Sequence, residues 1–202
     1  MKKTLLGLAL GLTFTAQVNA AEYVIDTQGG HASINFKYKH LGYSWLTGSF
    51  NKFSGTFSYD PENIAATQVV VDIDPLSLDS HHAERDKHVR SADFLDVKKY
   101  ATAKFVSTAV VADGEGGATV NGLLTLHGVT RDIIIDAQTI GAGDDPWGGY
   151  RAGFTGTTTL DTTAFGFNMP PENKVYLELN ILLFSRNIKF NQFLLILADG
   201  TR

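Results

Sequence analysis

The chain has 202 residues, a net charge of −4 and a hydrophobic content of 44%, which fits one globular domain. A mildly acidic balance argues against a nucleic-acid partner, because binding to phosphates needs basic surfaces. The sequence has no cysteine, which excludes disulfides, thiol catalysis and cysteine-ligated zinc, so burial of a core must supply the stability.

Residues 1–20 have the layout of a secretory signal peptide. Two lysines precede an apolar run from Leu5 to Phe14, and Val18 and Ala20 occupy the −3 and −1 positions of a cleavage site. The run is too short to cross a membrane, because a transmembrane helix needs about 20 apolar residues. We therefore predict export with cleavage after Ala20 and no transmembrane segment in the mature chain.

After residue 20 the hydrophobic pattern is that of β-strands. The segment ASINFKYK places Ile34 and Phe36 on one face and Asn35 and Lys37 on the other, as in a strand with one dry face. Many such strands separated by turns predict a single all-β domain, either an antiparallel barrel or a sandwich. Comparable segments are KFSGTFSYDP, TQVVVDI, AKFVSTAVVA, TVNGLLTL, RDIIIDAQTI, YRAGFTGTTTLD and KVYLELNILL.

The stretch SLDSHHAERDKHVRSADFL, residues 77–95, interrupts this pattern with a dense set of charged side chains. It contains neither glycine nor proline, and Asp79 and Ser80 are both acceptable N-caps. We predict a short helix around residues 81–90.

This helix admits three interpretations. On one face, His81, Glu84 and His88 resemble a zinc site, which would suit a metal-dependent enzyme or stress factor. However, His81 and His88 lie ~10 Å apart along the axis at a rise of about 1.5 Å per residue, so we predict no metal. A catalytic role lacks a nucleophile motif such as GxSxG or SxxK. The third interpretation is a solvated helix whose charges pair along its length.

Four segments of the chain resemble the YceI family of periplasmic proteins, most specifically in the strings HAERDKHVRSADFL and DPWGGYRAGF. The resemblance implies an extended, lipocalin-like antiparallel barrel of eight strands that binds a polyisoprenoid or another long-chain amphiphilic lipid in its lumen. It also implies a possible homodimer and no catalytic activity. The segments are residues 40–57, 77–95, 124–133 and 141–154.

The resemblance runs from the signal peptide to about Asn180, and we assign residues 21–183 to a lipid-binding barrel domain. Residues 184–202 form an atypical C-terminal tail that departs from the family. Its segment FLLIL, residues 193–197, is apolar and β-prone, which makes it an aggregation hazard if exposed. The tail could pair as an added edge strand, or it could be a disordered segment or the artefact of an altered reading frame. We favour a disordered segment or an artefact over an added strand.

An eight-stranded barrel can enclose one small ligand. The dry faces of the predicted strands carry large apolar side chains that suit an alkyl or isoprenyl tail, although the same side chains would also fill a closed core. The predicted lumen lining is Ile34, Phe36, Phe53, Phe57, Val71, Leu124, Ile135, Phe154 and Leu177.

An apolar lumen cannot solvate a pyrophosphate or quinone head, so polar donors are expected at its rim. We expect the helix to cross the barrel mouth, where its guanidinium groups would bind head-group oxygens. The alternative is that Glu84, Asp86 and Asp93 pair with these arginines and lock the helix to the barrel. The predicted rim residues are Arg85, His88, Arg90, Trp147, Arg151, Tyr43 and Trp45.

The sequence therefore predicts a periplasmic carrier or reservoir for a hydrophobic lipid. An isoprenoid or quinone-like lipid would be its ligand, with no cofactor and no reaction catalysed. The alternative function is the metal-dependent enzyme or stress factor that would use His81, Glu84 and His88.

Overall fold

The computed structural model describes residues 21–170, 172 and 174–185. The predicted signal peptide, residues 1–20, and the predicted tail from residue 186 onward lie outside the described residues. The last described strand continues to Ser185, two residues past the predicted domain boundary at residue 183. Within the described ranges, no helix is long and apolar enough to cross a membrane.

The described part of the chain contains eleven β-strands and one α-helix. The helix is α1 (Ala83–Val89). The strands are β1 (Ala21–Ile25), β2 (Ser33–His40), β3 (Ser44–Phe50), β4 (Phe53–Tyr59), β5 (Gln68–Ile73), β6 (Leu78–Asp79), β7 (Ala103–Ala112), β8 (Gly117–Leu126), β9 (Val129–Asp144), β10 (Tyr150–Asp161) and β11 (Lys174–Ser185).

Eight of the strands form a closed antiparallel barrel in the order β1-β4-β5-β7-β8-β9-β10-β11. The long strand β11 closes it, because its residues 183–185 pair with β1 while its residues 175–180 pair with β2. From β2 the sheet continues through β3 to β6, outside the closed ring. The prediction of an extended eight-stranded antiparallel barrel with one short helix is confirmed, and the sandwich alternative is wrong.

The strand alternation read from the sequence places apolar side chains inside the barrel. The tightest packing surrounds Ala152 and Leu183, both 0% exposed, and Phe165, which is 2% exposed. Phe165 belongs to the 3-10 turn Thr162–Phe165, which follows β10 and packs against the core.

The two ends of the barrel carry different connections. The end at which α1 and the segment leading to β7 lie is here called the helix end, and the turn Thr162–Phe165 lies there too. The opposite end is called the hairpin end, because the turns at residues 113–116 and 145–149 join β7 to β8 and β9 to β10 there.

The helix α1 begins later than the sequence predicts. His82, rather than Asp79 or Ser80, is the N-cap, and its side chain accepts a hydrogen bond from a backbone amide of the first turn. His81 has a φ of 63°, a left-handed conformation that a right-handed helix cannot include. The predicted helix around residues 81–90 is therefore seven residues long, from 83 to 89.

Candidate functional site

The barrel encloses a lumen of about 490 Å³. Side chains from β4, β5 and all strands from β7 to β11 line it, and Ile34 of β2 joins them. Among the described residues that line it there is no Asp, Glu, Lys, Arg or His. An interior of this size and polarity suits an apolar chain, since burying an unpaired charge there would be costly.

Seven of the nine predicted lining residues line this lumen. The other two lie outside its lining. The Phe36 ring packs onto Gly48 of the neighbouring strand and lies 5.8 Å from the Phe50 ring, centroid to centroid. Phe53 pairs with Ile73 at the start of β4 and packs against the core. The seven are Ile34, Phe57, Val71, Leu124, Ile135, Phe154 and Leu177.

Some lining residues were missed by the sequence pattern. The β7 segment AKFVSTAVVA is apolar on both faces, and a bulge between Ser107 and Ala109 turns both Phe105 and Val110 towards the lumen. Nothing in the sequence marks that bulge. Leu179, in contrast, continues the alternation of β11 and could have been found.

Neutral polar groups lie at the hairpin end of the lumen. The exposed glycines Gly114 and Gly116 belong to its lining, so this end opens to solvent. The Thr67 hydroxyl is buried and has no hydrogen-bond partner in the described ranges. Gln138 also lines the lumen at this end. Tyr59 lines the lumen too, and because burial raises the pKa of its hydroxyl, this group is neutral. The lumen lining at this mouth therefore offers neutral hydrogen-bonding groups, whereas the charged side chains of this end, Asp113 beside Gln138 and Arg151 between its two carboxylates, lie outside the lining.

At the helix end, α1 is held by a buried network. The Asp86 carboxylate is 6% exposed and accepts hydrogen bonds from the amide and hydroxyl of Ser80. Burial acts to raise the pKa of Asp86, but the two Ser80 bonds and the charges of Arg90 and Arg85 outweigh it and lower the pKa. Arg85 donates to the Ser80 hydroxyl at 2.7 Å and to the Ser80 carbonyl, and Arg90 donates to the Leu78 carbonyl. We call this set of residues the α1 anchor.

The α1 anchor occupies the guanidinium groups that the sequence assigned to a lipid head group. Arg85 and Arg90 donate to backbone oxygens of the segment that leads into the helix, and both lie at the helix end. Of the two roles that the sequence left open, these contacts favour the locking of the helix, although through Ser80 and backbone carbonyls and not through the predicted ion pairs of the arginines with acidic side chains. Head-group binding by Arg85 and Arg90 stays a prediction.

The histidines of this stretch lie apart from one another. His88 is 3.4 Å from Asp93, and His81 is 3.8 Å from Asp79, in each case from ring nitrogen to carboxylate oxygen. Within the described ranges, no three His, Cys, Asp or Glu side chains are placed to hold a metal ion. The geometry thus brings His81, Glu84 and His88 into no common site.

Two predicted rim residues, Arg151 and Trp147, lie at the hairpin end. Arg151 bridges two carboxylates, Asp26 at 2.5 Å and Asp145 at 2.7 Å. The hydrogen bond from Arg151 is the main reason why the pKa of Asp26 is lowered. The Trp147 ring is 81% exposed and lies 5.7 Å from the Arg151 guanidinium. Arg151 therefore joins the loop after β1 to the β9–β10 hairpin.

The last two predicted rim residues, Tyr43 and Trp45, lie in the β2–β3 hairpin at the helix end. Tyr43 is 91% exposed, whereas Trp45 packs edge-on against Tyr176 with ring centroids 5.5 Å apart. The predicted rim is therefore divided between the two ends of the barrel, and the structure does not bring its seven members together.

Comparison with known proteins identifies the family. The family model described as "YceI-like domain" matches residues 23–188. The chain belongs to the YceI-like family. A UPF0312 protein of Vibrio cholerae serotype O1 is 60% identical over 184 residues, which cover 90% of this chain and 97% of that protein.

Solved structures share the fold of this YceI-like chain. BcnA of Burkholderia cenocepacia has a TM-score of 0.70 at 22% identity, covering 78% of this chain and 98% of its own. A structure described as a polyisoprenoid binding domain from Saccharophagus degradans has a TM-score of 0.58 at 16% identity, covering 83% and 99%. Both show the same barrel architecture.

The YceI-like lumen is bordered by uncharged side chains throughout the part of the lining that the structure describes. Its described lining carries no carboxylate or imidazole, the side chains that most often serve in general acid–base chemistry. The lumen offers apolar area and, at the hairpin end, the hydroxyl of Thr67, for which the described part of the chain supplies no hydrogen-bond partner.

Proposed function

We propose that this protein is a periplasmic carrier or reservoir that binds a polyisoprenoid or another long-chain amphiphilic lipid in the barrel lumen, without catalysing a reaction. The observation that carries the proposal is the open lumen of about 490 Å³, whose described lining contains no charged side chain. The shared architecture with a polyisoprenoid binding domain and the signal-peptide pattern of residues 1–20 support it.

The volume of the lumen indicates how much of a lipid it can hold. A cavity of about 150 Å³ is enough for one benzene molecule, so a lumen of about 490 Å³ holds roughly twenty carbon atoms. Burial contributes roughly 0.8 kcal/mol per methylene, which gives on the order of 16 kcal/mol for such a chain before the costs of association. This burial free energy is large enough to exceed the cost of association and to give stable binding.

The groups at the hairpin end favour a ligand with an uncharged head. Thr67 and Gln138 can exchange hydrogen bonds with an alcohol or quinone oxygen, and no Lys or Arg is part of the described lumen lining. A diphosphate at this mouth would meet the Asp113 carboxylate beside Gln138, and the Arg151 guanidinium of this end is already paired with two carboxylates, so the charge of the diphosphate would be unfavourable there. We therefore expect an isoprenoid alcohol or quinone-like lipid rather than a diphosphate.

The test compares a substitution that fills the lumen with a large side chain and a matched substitution on the outer surface of the barrel. Val120 lines the lumen, whereas Val111 on the neighbouring strand is 57% exposed, so Val120→Trp and Val111→Trp are matched variants. The assay is fluorescence of N-phenyl-1-naphthylamine, a neutral apolar probe, and its displacement by geranylgeraniol or geranylgeranyl diphosphate.

We expect the unmodified protein and Val111→Trp to bind the probe. Geranylgeraniol should displace the probe from both proteins at lower concentration than geranylgeranyl diphosphate. Val120→Trp should bind at least about tenfold more weakly, because the indole takes the space of several methylenes. Thermal melting monitors folding of each variant. Equal binding by folded Val120→Trp and Val111→Trp would contradict binding in the lumen.

A further inference from the structure

The wall of the barrel is not continuous between β9 and β10. Their ladder runs from the pair Tyr150–Asp144 to the pair Thr157–Asp136 and ends there in the described strands. Both strands continue past this point towards the helix end, β9 for seven more residues, 129–135, and β10 for four, 158–161. Over these residues β9 pairs with β8 on its other side, and β10 pairs with β11.

A local hydrogen bond and a turn accompany the separation of the strands. The hydroxyl of Thr158 donates to the carbonyl of Ile134 at 2.6 Å, in place of the backbone bond that a regular ladder would form. Further towards the helix end, the turn Thr162–Phe165 contacts β9. Between the end of the ladder and this turn, the two strands are therefore linked by a side-chain hydrogen bond instead of by the backbone ladder.

The gap has space on both of its sides. Inside is the lumen, and outside is a surface groove of about 730 Å³ that is lined by residues of β2, β9, β10 and β11. Three residues, Ile133, Thr158 and Leu177, line both the lumen and the groove. At the gap, the lumen and the groove are therefore separated by side chains that border both spaces, and two of these three side chains are apolar.

We propose that this gap is a side opening through which a ligand chain longer than the lumen passes into the outer groove. The inference rests on the proposed lipid-binding function and adds a chain-length range to it. The lumen holds roughly twenty carbons by the volume argument above, so the rest of a longer isoprenoid needs a path out of the barrel. The gap provides that path midway along the wall, without opening either end.

The charges of the groove indicate which part of the ligand it receives. Lys37 is already paired with Glu178 at 2.7 Å, and Asp132 and Asp136 add negative charge that Arg131 only partly balances. An anionic head group would be repelled there. The groove therefore suits the uncharged, apolar end of a chain, which its residues Ile134 and Tyr176 can contact.

The opening can be closed by a disulfide, because the chain has no cysteine of its own. If the ladder were extended past Thr157–Asp136, Thr159 would stand opposite Ile134. The double variant Ile134→Cys/Thr159→Cys therefore joins the separated edges. The matched control is Val111→Cys/Thr119→Cys, which joins a facing pair of the β7–β8 ladder that lines neither the lumen nor the groove.

The measurement is displacement of N-phenyl-1-naphthylamine by geranylgeraniol, with four isoprene units, and by solanesol, with nine. We expect the oxidised Ile134→Cys/Thr159→Cys protein to lose at least about tenfold in affinity for solanesol and less than about twofold for geranylgeraniol. Reduction should restore solanesol binding, and the control pair should bind both alcohols alike in either redox state.

A second variant covers the case in which the edges do not join. Thr158→Trp places a large ring at the residue shared by lumen and groove, and Thr108→Trp is the control on an exposed position of β7. The ratio of solanesol to geranylgeraniol affinity should fall in Thr158→Trp alone. An unchanged ratio there, or unchanged solanesol binding with the disulfide formed, overturns the side opening. If neither alcohol displaces the probe from the unmodified protein, the proposed function itself fails.

Discussion

The interior of the barrel and the α1 anchor differ in how their side chains are satisfied. The lumen keeps about 490 Å³ open, and at its mouth the hydroxyl of Thr67 has no partner among the described residues. In the α1 anchor, the Asp86 carboxylate and the Arg85 guanidinium both bind Ser80, and Arg90 binds a backbone carbonyl. The lumen has unused space and an unused hydroxyl, whereas the α1 anchor uses its charged groups to hold itself together and leaves the Nε of Arg90 as its one buried side-chain atom without a partner among the described residues.

This difference shows that a high density of reactive side chains does not by itself mark a binding site. A ligand needs a volume to occupy and groups that are not already bonded, and the lumen has both. The α1 anchor should therefore govern stability, whereas the lumen should govern binding. Each of the following substitutions tests one half of this division.

The largest effect is expected at Asp86. Replacement by alanine removes the acceptor of both Ser80 hydrogen bonds and the negative charge that lies near Arg85 and Arg90. We expect the free energy of unfolding to fall by about 3 kcal/mol in urea denaturation, because breaking a buried charged network is costly. Asp93→Ala, at a carboxylate that is 75% exposed, should change it by less than about 0.5 kcal/mol.

A smaller loss is expected for Arg85→Ala. Its guanidinium makes two hydrogen bonds to Ser80, so the free energy of unfolding should fall by about 2 kcal/mol. Under conditions in which the variant is fully folded, its affinity for geranylgeraniol should remain within about twofold of that of the unmodified protein, since Arg85 lies outside the lumen lining. Weaker lipid binding with unchanged stability would instead support the head-group role predicted from the sequence.

The pH dependence of stability should report Asp86 as well. Because its pKa is lower in the folded state than the ordinary value of 3.8, the carboxylate stabilises the fold fully above that value. This contribution is lost as the pH falls through the lowered pKa. Urea midpoints measured from neutral pH down to about pH 2 should therefore decline less steeply for Asp86→Asn than for the unmodified protein. If the midpoints of the two proteins declined in parallel with pH, the charge of Asp86 would contribute nothing to the stability of the fold.

The smallest effect is expected from Thr67→Val, on the other side of the comparison. The substitution removes the buried hydroxyl that lacks a partner, so stability should stay within about 0.5 kcal/mol or rise slightly. If the hydroxyl bonds the ligand head, geranylgeraniol binding should weaken by about 1 kcal/mol, or roughly fivefold. Probe displacement measures this loss of affinity. The substitution should change the affinity for geranylgeranyl acetate, which offers only an acceptor, by a different factor from the affinity for the alcohol.

Much of the barrel could be predicted from the alternation of apolar residues, because an inward side chain such as Leu124 or Ile135 must avoid water in any closed sheet. The bulge that turns Phe105 and Val110 to the same side could not, since its residues have no distinctive pattern. The partners of Arg85 and Arg90 depend on the path of the chain before α1, and sequence spacing does not contain that path. The gap between β9 and β10 leaves no mark in the sequence either, because both strands keep their alternation through it.

The central claim, that the lumen carries a lipid, is tested most directly by mass spectrometry of organic extracts from protein purified from the periplasm. We predict one uncharged amphiphile with a chain of roughly twenty carbons or more, in near-equal amount to the protein and absent from Val120→Trp prepared in parallel. Extracts without any hydrophobic molecule, from a protein that also fails to bind N-phenyl-1-naphthylamine, would contradict the account.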